Sequence, residues 1–165
     1  NRAINLEPSS ASAYVGRCYI HNRQQDYELA IADCTKAIEL GTEEIKVYSN
    51  RGMSYVATDQ YELAISDLSR AIESSADESY LYYFRGAAYT SSHNPESAIA
   101  DLIKAVEVDA NNAITYCLLG VNYTRVYEFP KAISALEKGI HLENGNDLEW
   151  CRTTLTYAKQ GIPVP

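Results

Sequence analysis

Four tyrosines, Tyr14, Tyr48, Tyr82 and Tyr116, stand 34 residues apart. The same interval separates Ala30, Ala64, Ala98 and Ala132, and again Ile31, Ile65, Ile99 and Ile133. A fixed period of this size belongs to a stacked array, in which each unit buries its apolar face against the next. Length then counts units rather than domains, and the 165 residues hold four full periods.

Each period carries two helical patterns joined by a polar turn. In the first, one helix is predicted from Ala11 to Gln24 and a second from Tyr27 to Leu40. In the second helix Leu29, Ala30, Ile31, Cys34, Ala37, Ile38 and Leu40 recur at helical spacing, and Gly41 is suited to end it. The predicted units are 11–44, 45–78, 79–112 and 113–146. In the third, Asn94 is placed to cap the second helix with Pro95 in its first turn. Glu128, Phe129 and Pro130 open the matching helix of the fourth. Residues 1–10 read as the tail of a truncated unit, because Ala3 and Ile4 lie one period before Ala37 and Ile38 and Pro8 then stops the helix. Residues 147–160 read as a capping helix opened by Asp147, and 161–165 as a tail.

The residues at these positions resemble the tetratricopeptide repeat (TPR): an aromatic, a Leu-Gly pair, a second aromatic, then alanines and a large residue. The second copy reads Tyr48, Arg51-Gly52, Tyr55, Ala64, Leu68, Ala71. The fourth reads Tyr116, Leu119-Gly120, Tyr123, Ala132, Leu136, Gly139. The first is looser, with Cys18 at the glycine, His21 at the second aromatic and Cys34 at the large residue. The resemblance implies an all-α fold, a right-handed α-solenoid (superhelix) of antiparallel helix pairs with a terminal capping helix. Gly52, Gly86 and Gly120, with the alanine column, would let the two helices of a unit approach closely. The tyrosines and Trp150 would fill the gaps between units. Arg17, Arg51 and Arg85 share one column and Asp33, Asp67 and Asp101 another, while the fourth copy replaces both together by Leu119 and Ala135. An intra-repeat Arg–Asp pair is therefore expected in the first three units.

The charge of −8 argues against nucleic acid, which needs clustered cations. No apolar run is long enough to insert directly into a membrane. Cys18, Cys34, Cys117 and Cys151 form no C-x-x-C pair and no zinc spacing, so they are expected as reduced, buried thiols of a cytoplasmic protein. Cys117 and Cys151 occupy one column of successive units and are expected about 10 Å apart, beyond disulfide reach. Asn122-Tyr-Thr124 fits a glycosylation sequon but falls inside a helix pattern. His21, His93 and His141 are scattered, and no nucleophile–base pair, phosphate loop or carboxylate dyad stands out, so neither a cofactor nor catalysis is expected.

The resemblance implies that the first helix of each unit lines a concave face that takes a protein or peptide ligand. That face is expected to present Tyr19, Arg23, Lys46, Ser49, Asn50 and Met53 from the first two units. Tyr80, Tyr83, Ala87, Ile114, Cys117, Val121 and Arg125 follow from the next two, and Arg152 and Lys159 from the capping helix. Its cations, Arg23, Lys46, Arg125, Arg152 and Lys159, are met by no acid in this frame, which favours a partner with acidic and hydrophobic character. Asn50 is placed to bond a ligand backbone, and Tyr80, Tyr83 and Met53 to form an anchor pocket. One subtype of the family clamps the acidic tail of heat-shock chaperones. Its positions here hold Val15, Tyr19, Asn50, Tyr80 and Phe84, of which only Asn50 fits. The function expected is a non-catalytic interaction scaffold. The alternatives are a recruiting arm of a larger enzyme or co-chaperone, and self-association.

Overall fold

A computed structural model describes residues 7, 9–75, 77–143 and 148–164. The readings made for Ala3, Ile4, Pro8 and Asp147 lie outside the described residues. Among those described, nine α-helices and no strand are found: α1 (Ala11–Arg23), α2 (Tyr27–Glu39), α3 (Ile45–Ala57), α4 (Tyr61–Ser74), α5 (Ser79–Ser91), α6 (Pro95–Val108), α7 (Ala113–Arg125), α8 (Phe129–His141) and α9 (Glu149–Gln160). They gather into two compact units, Asn1–Ala76 with α1–α4 and Asp77–Pro165 with α5–α9.

Each helix pair is closed by the same turn. Gln25, Asp59, His93 and Tyr127, one period apart, all adopt left-handed backbone with φ of 65, 58, 57 and 63°. The residue after each donates to the carbonyl five positions back: Asp26 to His21, Gln60 to Tyr55, Asn94 to Tyr89 and Glu128 to Tyr123, at 2.9 Å in every case. This bond lets a helix end in one residue and the chain reverse into the next helix. As expected, Asn94 caps α6, its side chain accepting from the Ser97 amide at 3.2 Å, with Pro95 in the first turn. Glu128 opens α8 without a side-chain cap.

Close helix approach rests on one contact that returns every period. A methyl group at Gly52 would lie 2.8 Å from Leu68 Cγ, one at Gly86 would lie 2.9 Å from Leu102 Cγ, and one at Gly120 would lie 2.4 Å from Leu136 Cγ. The leucines are wholly buried because the glycines leave them room. In the first repeat these two positions are Cys18 and Cys34, and a disulfide joins them across a Cα–Cα distance of 5.4 Å. The covalent bond fills the space where leucine meets glycine elsewhere.

A second disulfide joins Cys117 to Cys151, with Cα atoms 5.5 Å apart. Both cysteine expectations are thereby corrected: none of the four is a free thiol, and Cys117 is within bonding reach of Cys151. The spacing argument failed because α9 packs directly on α7 as well as on α8. Gly139 opens the space: a Cβ there would meet Cys117 Sγ at 2.6 Å, and the three preceding repeats carry alanine at this place.

The three Arg–Asp pairs form as expected. Arg17 Nε and Nη2 donate to Asp33 Oδ2 and Oδ1, each at 2.6 Å. Arg51 donates to Asp67 at 2.6 and 3.0 Å, and Arg85 to Asp101 at 2.7 Å twice. The fork fits the carboxylate bidentately, the strong geometry for this pair. Burial alone would push the Arg51 guanidinium down, yet the hydrogen bond and charge of Asp67 carry it above its usual value. Hydrogen bonds to Asp33 and Asp101 raise Arg17 and Arg85 likewise. In the fourth repeat Leu119 and Ala135 are buried instead, packed with Ala98 and Leu102.

Two further readings change. Leu29, counted among the apolar positions of α2, is 54% exposed. Trp150 and Tyr157, placed in the gap-filling columns, are each 40% exposed, while α9 docks through Leu148, Cys151, Thr154 and Ala158.

Candidate partner-binding faces

In the first unit, α1 and α3 present Tyr19, Arg23 and Lys46 to solvent, with Met53 half-buried. Arg23 Nη1 reaches Tyr19 Oη at 3.4 Å. Ser49 and Asn50 are corrected from ligand-facing to buried, at 4% and 8% exposed. Their side chains turn back on their own helix: Ser49 Oγ and Asn50 Nδ2 donate to the Lys46 carbonyl at 3.1 and 2.8 Å. Asn22 of α1 then donates to the Asn50 carbonyl at 2.6 Å, so this pair of asparagines joins α1 to α3.

In the second unit, α5, the C-terminal end of α6 and the start of α7 enclose a pocket of about 300 Å³. Tyr80, Tyr83 and Phe84 wall it, and Asp109, Asn112 and Thr115 stand on its other side. Tyr83 and Phe84 meet edge to face with centroids 5.1 Å apart. Burial pushes the Tyr83 phenol up, which keeps it a neutral hydrogen-bond donor. Tyr80 is 38% exposed and Ile114 36% exposed, so the approach to this wall is open. Ala87 and Val121 are half-buried.

The other expected residues are committed within the fold. Cys117 is wholly buried in its disulfide. Arg125 Nη1 donates to the Thr90 carbonyl at 2.8 Å, and burial pushes its guanidinium down. Arg152 is paired with Glu143, and Lys159 with Glu137 at 2.9 Å. The expectation that no acid meets these cations is corrected for both. Glu137 and Glu143 come from α8 and the segment after it, outside the columns that defined the face. Asp109 and Asn112 were also missed, because they lie between repeats rather than on a first helix.

Asn122 of the sequon is wholly buried, its Nδ2 donating to Thr90 Oγ1 at 2.7 Å and to the Leu118 carbonyl at 2.8 Å. It is closed to glycosylation. Among the described residues no group of three or more His, Cys, Asp or Glu side chains is placed to hold a metal ion. No helix among them is long and apolar enough to cross a membrane.

The helix pairs, their glycine–leucine contacts and their period define an all-α helical repeat protein. The family model described as tetratricopeptide repeat matches residues 11–40, 45–78 and 79–112, and the chain belongs to that family. Comparison with curated proteins gave no match. Among solved structures, it is similar to YrrB, described as a TPR protein with an unusual peptide-binding site. The TM-score is 0.79 at 22% identity, over 96% of this chain and 82% of that one. It is also similar to the MamA protein, with a TM-score of 0.81 at 22% identity, over 92% and 81% of the two chains. MamA from Desulfovibrio magneticus RS-1 gives 0.78 at 22% identity, over 87% and 81%. At these identities the likeness concerns the fold.

Proposed function

We propose that the chain is a non-catalytic interaction module that captures a segment of a partner protein on the first helices of its units. The observation that carries this reading is the aromatic pocket of Tyr80, Tyr83 and Phe84. A pocket of about 300 Å³ accepts one apolar or aromatic side chain, and aromatic walls of this kind are where binding energy concentrates. The first unit, taken by itself, presents exposed Arg23 and Lys46, which favour acidic character in a segment bound there. The described cations of α9 add less, being already paired with glutamates.

Calorimetric titration with short acidic and neutral peptides, each carrying one aromatic or aliphatic anchor, tests the reading. Tyr83→Ala should weaken binding by about tenfold or more, because it removes the pocket wall. Lys46→Glu should weaken acidic peptides selectively. Affinity unchanged by Tyr83→Ala would remove the pocket as the anchor site.

A further inference from the structure

The fourth repeat departs from the other three at positions that converge in space. A cavity of about 560 Å³ opens between α7 and α8. Among its lining residues, Leu119 and Ala135 stand where the earlier repeats carry the Arg–Asp pair. Pro130 stands where they carry Glu28, Glu62 and Glu96, and Lys131 where they carry Leu29, Leu63 and Ser97. Two acids have left this surface and Lys131 has been added, together with Glu128 where the second and third repeats carry Gln60 and Asn94. The arginine that left was itself neutralised by one of those acids in the other repeats.

What remains is a cationic cavity with an apolar floor. Lys138 keeps the basic column of Lys36, Arg70 and Lys104. Lys36 and Lys104 are neutralised by Glu39 and Glu107 at 2.9 and 2.7 Å, but Lys138 has no acidic partner among the described residues. His141 stands where those glutamates would be. Lys131 lies 3.4 Å from the exposed Glu128 and 5.7 Å from the Tyr123 ring centroid. Between the lysines the lining is Tyr116, Tyr123 and Leu119. At 100° per residue these three lie on the side of α7 opposite Ile114, Val121 and Arg125. The cavity and the aromatic pocket share no lining residue.

We infer that this cavity is a second docking site, for an extended acidic segment of a partner protein carrying two carboxylates with apolar residues between them. The spacing follows from helix and strand geometry. Lys131 and Lys138 are seven residues apart on one face of α8, about 10 Å along the axis. Side chains four residues apart on an extended chain share a face and are separated by about 13 Å, a span that the flexible lysine stems cover. One carboxylate meets the Lys138 ammonium, the other displaces the exposed Glu128 from Lys131, and the apolar residues between them cover the tyrosines and Leu119. Loss of the repeat's own aspartate is what makes the cavity selective, since a carboxylate at position 135 would repel such a ligand.

The probe is a short acetylated and amidated peptide with two glutamates flanking three apolar residues, titrated calorimetrically into the full chain with its disulfides intact. It should bind, and its affinity should fall as salt rises. Replacing both glutamates by glutamine should abolish binding. Lys131→Gln and Lys138→Gln should each weaken it by up to about fivefold, the range of an exposed ion pair. The decisive variant combines Leu119→Arg with Ala135→Asp, which restores the pair of the first three repeats and fills the cavity. It should cost at least about tenfold in affinity while circular dichroism stays that of the parent. Lys104→Gln, in the same column but outside the cavity, should leave affinity unchanged. If the restored pair disturbs folding, the combined Lys131→Gln and Lys138→Gln protein decides the matter instead. Failure of the peptide to bind, or equal affinity for the parent and the lysine-free protein, overturns the inference.

Discussion

The smallest decisions in this chain are made by pairs of residues 16 apart. Glycine with leucine sets how closely two helices approach, and arginine with aspartate sets what fills the space beside them. Asp67 is buried and Arg51 nearly so, with Arg51 also donating to Thr35 Oγ1 at 3.1 Å. Asp67→Ala leaves a guanidinium without its carboxylate and should cost about 3 kcal/mol of unfolding free energy. Adding Arg51→Leu recreates the Leu119–Ala135 arrangement and should recover part of that loss in urea denaturation. A double variant no more stable than the single would show that the pair is not the source of the cost. The turn residues store the opposite kind of energy. His93 is exposed at φ 57°, in a conformation that side chains with a Cβ disfavour by about 1–2 kcal/mol. His93→Gly should raise stability by about 0.5 kcal/mol after the entropy of glycine in the unfolded chain is subtracted. His93→Ala should not, and a rise with alanine equal to that with glycine would rule out the backbone as cause.

At the scale of helices, the disulfides tie elements that the repeat pattern only brings near. Cys18–Cys34 joins α1 to α2, and Cys117–Cys151 holds α9 against α7. Closing loops of 16 and 34 residues should contribute roughly 3–4 kcal/mol each through the unfolded chain. Reduction under denaturing conditions should release four thiols. The reduced protein should then unfold at distinctly lower urea than the oxidised one. Free thiols titrating in the untreated, unfolded protein would contradict the pairing. Such bonds persist in oxidising compartments and are reduced in the cytosol. Four scattered cysteines therefore give no support to a cytoplasmic location. The second pairing was hidden because the column rule treats successive units as equally spaced. The first was within reach of the sequence. Cys18 and Cys34 replace glycine and leucine, the two positions in tightest contact in every other repeat.

For the molecule as a whole, two kinds of surface separate. The first-helix face was only partly legible in the sequence. The exposure of Tyr19, Arg23, Lys46 and Tyr80 follows from helical phase. The burial of Ser49 and Asn50 does not, because both polar side chains satisfy themselves on the Lys46 carbonyl. Nor could the frame foresee that Glu137 and Glu143 neutralise Lys159 and Arg152, since those acids belong to other columns. The cavity between α7 and α8 lies off that face altogether. Its lining was visible in the sequence only as separate irregularities of the fourth repeat. The predictions for Tyr83 and for the Leu119–Ala135 exchange address two sites that share no lining residue, although Tyr83 packs on the cluster that holds Leu119 and Ala135.

The helices, their pairing and the family all follow from periodicity, because a period of 34 residues repeats the same packing problem with the same solution. The three Arg–Asp pairs follow from it too, since both partners recur and vanish together. Which cysteines bond, which polar groups turn inward and where open space remains are settled only in the folded chain. Those outcomes depend on distances between neighbouring helices, and a column of equivalent positions carries no distance.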